Sequence, residues 1–130
     1  MGATGIDALA APVGERSLAE MLCAARDEYR VEIRLARGGA QVAENYSRRI
    51  DRLVMRIYAE ASSQAGTPVA LLAIGGYGRR HLCLHSDIDL MILFGGPIAA
   101  AEERFVKALL HPLWDLGFDV GHQVRQLSEL

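Results

Sequence analysis

Two short apolar runs, 69–74 and 88–94, flank a glycine-rich loop, and this arrangement constrains the chain more than any other feature. The stretch AIGGYGRRHLCLHSDIDLMILF at 73–94 reads as a strand, a glycine turn, an irregular loop and a second strand. Asp87 and Asp89 stand where that second strand opens. Side chains alternate along a strand, so two carboxylates at i and i+2 share a face. Ile88 and Leu90 then point the other way, into a core. Leu71, Leu72, Ala73 and Ile74 lead into Gly75 and Gly76, where the backbone can approach a ligand with no Cβ in the way.

The flanking sequence predicts helices. Ser17 and Glu20 form a capping-box pattern, followed by an apolar stripe of Leu18, Met21, Leu22 and Ala25. Tyr29, Ile33 and Ala36 extend the stripe until Gly38-Gly39 interrupts it. Val42, Tyr46, Ile50, Leu53, Val54, Ile57 and Tyr58 recur at three- and four-residue steps, which predicts a second helix over 40–61. Arg48, Arg49, Arg52 and Arg56 cluster along it; a solvated face paired with Glu44, Asp51 and Glu60 is the favoured reading, with a subset reaching a triphosphate as the alternative. A turn at 64–68 precedes the two apolar runs, both read as buried strands. A helix follows over 99–116 with Phe105, Leu109, Leu113 and Leu116 on one side, and Pro112 predicts a kink or an early end. Phe118, Val120, His122 and Val124 alternate in a third strand over 118–127. The expected organisation is a flexible arm at 1–16, a helical segment at 17–65 and a core at 66–130.

A chain of 130 residues makes one small domain. A net charge of −2 argues against a broad nucleic-acid surface. No apolar run reaches the roughly 18 residues that span a bilayer, and the N-terminus lacks the basic start of a signal peptide. Cys23 and Cys83 show no zinc spacing and read as reduced thiols in a cytoplasmic protein.

A phosphate cradle followed by paired carboxylates is what nucleotidyl transfer requires. That reaction holds an attacking hydroxyl, an α-phosphorus and a pyrophosphate leaving group in line, with divalent cations managing the charge. Magnesium takes carboxylate, phosphate and water oxygens in an octahedral shell, and Asp87 and Asp89 would supply the protein's share. The Ser86 hydroxyl could bond a phosphate oxygen. So could the amides of Gly75, Gly76 and Tyr77, if a helix starts after the turn. Arg79 could neutralise triphosphate charge, with pairing to a nearby carboxylate as its structural alternative; the same choice faces Arg80. Either half of the pattern alone is common, a D-x-D pair on surfaces and Gly-Gly in turns. The combination is specific, because a surface pair does not need apolar runs on both sides. His81 and His85 lack partners at metal-ligand spacing. Tyr77, Trp114 and Phe118 read as packing residues, and His122 and Arg125 as structurally paired.

In these residues the chain resembles the nucleotidyltransferase superfamily that includes DNA polymerase beta. Within it, the chain looks most like the N-terminal domain of the PII uridylyltransferases. Three segments carry the likeness. GGYGRRHLCLHSDIDLMIL at 75–93 is close to a family pattern G-G-Y-G-R-G-E-L-x-P-x-S-D-I-D-L-L. Ser47-Arg48-Arg49-Ile50-Asp51 falls in a similar helix. LLHPLWDLGFDVGHQVRQLSE at 109–129 is similar to L-W-D-x-G-x-x-V-G-H-x-V-R. The resemblance implies an α+β fold: a polymerase-beta-like core, a small mixed sheet with flanking helices, preceded by a helical N-terminal segment. It implies Asp87 and Asp89 as magnesium ligands and Gly75, Gly76 and Ser86 as nucleotide contacts. The implied reaction moves UMP from UTP to a tyrosine hydroxyl of the PII protein and releases pyrophosphate.

The chain departs from the family pattern at three loop positions. Arg80 stands for Gly, His81 for Glu and Leu84 for Pro. Arg80 adds bulk at a tight turn, and His81 removes a carboxylate near the site. The superfamily also uses a third carboxylate on a later strand. Asp119 is the candidate here, with a position beyond Leu130 as the alternative. The family continues with a hydrolytic HD domain and ACT domains, so removal of UMP and glutamine sensing are expected outside these residues. Two rival readings stand beside the leading one: a transferase acting on a small-molecule hydroxyl, and a truncated, non-catalytic remnant that binds a partner.

Overall fold

The computed structural model describes residues 16–35 and 38–130. Most of the expected arm lies outside them, and so does Ala36 of the first apolar stripe. Two helices open the described chain, α1 (Leu18–Arg34) and α2 (Gly39–Ala61). Ser17 caps α1 as its spacing predicted. The Ser17 hydroxyl accepts the Glu20 amide at 3.1 Å, and the Glu20 carboxylate accepts the Ser17 amide at 2.8 Å. Along α2, Val42, Tyr46, Ile50, Leu53, Val54 and Ile57 are buried on one face. The helices are tied together where Arg49 bridges Glu28 at 2.6 Å and Glu32 at 2.7 Å. Tyr29 and Tyr46 meet edge to face nearby.

The arginines of α2 only partly follow the expected pairing. Arg48 meets Glu44 at 2.9 Å and Arg56 meets Glu60 at 3.8 Å. Arg49 turns to α1 instead, and the Asp51 carboxylate accepts a tyrosine hydroxyl. Ile33 is half exposed, so the buried stripe of α1 ends before it.

Three strands form one mixed sheet: β1 (Val69–Ile74), β2 (Ile88–Phe94) and β3 (Val120–Gln126). β2 is central, antiparallel to β1 and parallel to β3. Parallel neighbours need a crossover, and α4 (Ala100–Asp115) supplies it; a one-turn α3 (Gly75–Gly78) follows β1. Ile88, Leu90, Ile92 and Phe94 are buried on one face of β2, in one cluster with Ile50, Leu53 and Ile57 of α2 and Phe105, Leu109 and Leu113 of α4. The other face carries Asp89, Met91 and Leu93, which are only partly buried.

That one-sided cover explains a difference from expectation. No residue of β1 is fully buried, and Leu72 is 40% exposed. An edge strand on a sheet covered on one side shields neither its outer face nor its free edge. α4 also runs through Pro112 to Asp115. Proline removes one N–H bond there, but it falls in the last turn, where the Leu116 amide still donates to the Pro112 carbonyl at 3.1 Å. Trp114, expected in the core, is 45% exposed. Leu109, Leu110 and Leu113 occupy the inward face of α4, and Trp114 projects past it toward His111 and His122.

The turn before β1 is anchored by a carboxylate. Buried Glu102 accepts the amides of Gly66 at 2.7 Å and Thr67 at 3.1 Å through one oxygen, and that of Ala99 at 3.0 Å through the other. These amides, Ala99 first, hold its carboxyl below the usual carboxylate range.

Candidate active site

β1 delivers the chain to Gly75, whose φ of +61° lies in the left-handed region open to glycine. The residues after the turn do start a helix, the single turn α3. The amides of Gly75, Gly76 and Tyr77 in that first turn have no acceptor within the helix. The loop then closes on itself. Arg79 donates its amide to the Gly75 carbonyl at 3.2 Å, Arg80 to Tyr77 at 3.0 Å and His81 to Gly76 at 2.9 Å. Arg80 has a φ of 59°. That conformation costs an L-residue with a Cβ about 1–2 kcal/mol.

Asp89 lies near the start of the central strand, opposite Ile74 of β1 and Gly121 of β3. Its carboxylate lies between two glycines. A Cβ at Gly75 would stand 2.8 Å from Asp89 Oδ2, and a Cβ at Gly121 would collide with Oδ1. Neither the Asp87 nor the Asp89 carboxylate takes a hydrogen bond or an ion pair from a described residue. The Ile88 amide donates to the Asp119 carbonyl at 2.9 Å. Carried one residue back, the β2–β3 register sets Asp87 beside Asp119. Among the described residues, no three His, Cys, Asp or Glu side chains gather closely enough to hold a metal ion.

The remaining expected residues fall around this pair. The Ser86 hydroxyl accepts the Cys83 amide at 2.8 Å, and the Ser86 amide donates to the Cys83 carbonyl at 3.1 Å, so Ser86 closes the turn into β2. Arg79 and Arg80 are exposed and pair with no described carboxylate. His81 and His85 are exposed. Cys23 and Cys83 are exposed and free.

The way α2 meets the loop leaves no periodic pattern in the sequence. Tyr77 packs in the core as expected, but its hydroxyl also donates to Asp51 Oδ1 at 2.6 Å. Burial, and then the Asp51 bond, push that hydroxyl well above the usual tyrosine range. Ser47 accepts the Leu82 amide at 3.1 Å while donating to the Ala43 carbonyl at 2.8 Å. A signal was present: Ser47 sits beside Tyr46 on the apolar stripe, and a serine there needs a buried partner.

With this geometry in view, residues 21–122 match the family described as "Putative nucleotidyltransferase DUF294". The chain belongs to this nucleotidyltransferase family. It is similar to proteins named bifunctional uridylyltransferase/uridylyl-removing enzyme. That of Nitrosospira multiformis is 34% identical over 126 residues, covering 92% of the chain and 14% of the relative. That of Novosphingobium aromaticivorans is 34% identical over 146 residues, covering 98% and 16%. That of Bordetella parapertussis reaches 54% over 59 residues, covering 45% of the chain and 7% of the relative. The chain thus spans about one-seventh of the first two relatives' length. The family resemblance and the α+β fold it implies are both borne out. Among the described residues, no helix is long and apolar enough to cross a membrane.

Proposed function

We propose that this nucleotidyltransferase domain moves UMP from UTP to a tyrosine hydroxyl of the PII nitrogen-regulatory protein. The tyrosine oxygen bonds to the α-phosphorus, the bond to the bridging oxygen of the β-phosphate breaks, and pyrophosphate leaves. The uridylyl group follows the name its relatives carry. The PII tyrosine is the acceptor that the family resemblance implies, and the free thiols suit a cytoplasmic setting.

One observation carries the reading. The Asp89 carboxylate has no partner among the described residues and lies between Gly75 and Gly121, beside the turn. A Cβ at either glycine would fill the space next to it. Hard carboxylate oxygens left open in this way fit a magnesium ion. Asp87 and Asp89 would hold it, with phosphate and water oxygens completing the shell; Asp119, the expected third carboxylate, does not gather with them closely enough to add a ligand. The ion would stabilise charge on the attacking and leaving oxygens. The Gly75 and Gly76 amides would orient the triphosphate. Ser86 keeps a hydroxyl hydrogen to donate to a phosphate oxygen, since its oxygen is the acceptor from Cys83. Arg79 would neutralise phosphate charge from the exposed side of the loop.

Calorimetry of UTP binding with Mg2+ tests this. Asp87→Asn with Asp89→Asn should weaken binding by on the order of 100-fold while leaving the melting temperature near wild type. Wild-type-like binding in that double variant would count decisively against the reading. Transfer of UMP to a sugar or antibiotic hydroxyl, with none to PII, would favour the small-molecule transferase. Absence of any Mg2+-dependent binding by the wild-type chain would favour the non-catalytic remnant.

A further inference from the structure

Two side chains of α2 grip the glycine loop from beneath, at its two ends. Asp51 accepts the Tyr77 hydroxyl at 2.6 Å, and Ser47 accepts the Leu82 amide at 3.1 Å. They stand four residues apart on one helix, so they share a face and lie about 6 Å apart along its axis. Tyr77 is 4% exposed, Leu82 is 1% exposed, and Ser47 is fully buried. An unmade bond at either point would strand a polar group away from water. Between the two anchors run Gly78, Arg79, Arg80 and His81. This segment holds the left-handed Arg80 and the exposed Arg79. Its own backbone bonds only return to the turn, at Gly75, Gly76 and Tyr77. Within it, Gly78 comes close to the Ala73 carbonyl of β1, but the amides of Arg79, Arg80 and His81 bond only to the turn, which does not fix their height over β2 and Asp89. The anchors on α2 do that, and α2 is itself set in the core by Ile50, Leu53 and Ile57.

We propose that Asp51 and Ser47 are positioning residues that hold the glycine turn and Arg79 in register with Asp87 and Asp89 for a nucleoside triphosphate. This rests on the nucleotidyltransferase reading of the site and adds two residues that reach the nucleotide only through the loop. A binding loop held at both ends is pre-organised, and releasing one end adds an ordering cost to each binding event.

The test is a cycle on the full chain with Asp51→Ala, Tyr77→Phe and the double variant, read by Mg2+–UTP calorimetry. Each single change should weaken affinity about tenfold, the worth of one charge-assisted hydrogen bond. The double variant should be no worse than either single one, because one bond is removed in all three. Asp51→Asn keeps an acceptor oxygen for Tyr77 and should restore most of the affinity. A purely structural role would not produce that rescue at an unchanged melting temperature. Amide exchange in the absence of nucleotide gives a second readout: Tyr77→Phe should speed exchange at Arg79, Arg80 and His81 and spare β2. Unchanged affinity in both single variants, or losses that add in the double, overturns the proposal. If the wild-type chain bound no Mg2+–UTP, the nucleotidyltransferase reading would fall with the nucleotide role built on it. Exchange at 79–81 would still report separately whether Asp51 holds the loop.

Discussion

The two ends of β1 are built on opposite lines. At its start, nearly every polar group is engaged. Glu102 accepts three amides, the Tyr58 hydroxyl donates to the Val69 carbonyl at 3.0 Å, and Gly95 donates its amide to the Pro68 carbonyl at 2.8 Å. At its other end, six residues on, Asp89 and Asp87 have no described partner, the two loop arginines pair with no described carboxylate, and Arg80 is held in a left-handed conformation. Both ends carry carboxylates beside glycines. At Gly66 the glycine amide bonds the carboxylate; at Gly75 and Gly121 the glycines only leave room beside one. A carboxylate whose acceptor capacity is filled by amides stabilises the fold. One left open beside a glycine turn is available to a cation. Strain and unmet polar capacity concentrate at the second end, as they do at functional sites generally.

The contrast can be broken from either side. Gly121→Ala should have the largest effect. Its Cβ would collide with Asp89 Oδ1 and push the carboxylate out of line. Transfer should fall by on the order of 100-fold, the usual penalty for a misplacement of about 1 Å, with little change in melting temperature. Full activity in that variant would show that the space beside Asp89 is not used. Glu102→Gln should do the reverse. It should lower the melting temperature more than any single change at the loop end and leave transfer intact wherever the chain is folded. The pH dependence has a definite sign. Its folded carboxyl titrates below the unfolded value, so its contribution is complete above about pH 4.3 and is lost as pH falls through the folded value. Melting curves of wild type and Glu102→Gln should therefore converge in acid; a constant gap at all pH would mean the carboxylate charge is not what anchors the turn.

The loop end was the more legible of the two, for a physical reason. Its signal is local: Gly75, Gly76, Asp87 and Asp89 lie within one strand–turn–strand unit, and the strand period alone sets which side chains share a face. The capped start of α1 and the stripe of α2 were legible in the same way. What needed the folded chain was contact across elements. Glu102 reaches back to Gly66 and Thr67 over 36 and 35 residues, and Asp51 reaches forward to Tyr77 over 26. No local period announces such bonds. One-sided burial of the sheet was also hidden, because the apolar run of β2 reads the same whether one face or both are covered. Trp114 was misplaced for a related reason: residue type favours the core, but α4 had already filled its inward face with leucines.

Arg80 is the smallest and sharpest test of the contrast, because it separates strain from chemistry at one residue. It holds a φ of 59°, and its side chain is exposed without an ion pair to a described residue. Arg80→Gly removes the Cβ that opposes the left-handed backbone, a gain of about 1–2 kcal/mol. It also frees the unfolded chain, a loss of about 0.4–1 kcal/mol. The difference should leave the variant more stable by about 0.5–1 kcal/mol, read as a higher urea midpoint at unchanged slope. Transfer activity then decides what the arginine is for. If Arg80 only fills a strained turn position, activity should hold or rise as the loop relaxes. If the guanidinium meets the triphosphate, UTP affinity should fall even as stability rises, and that divergence would put the strained residue itself among the binding groups.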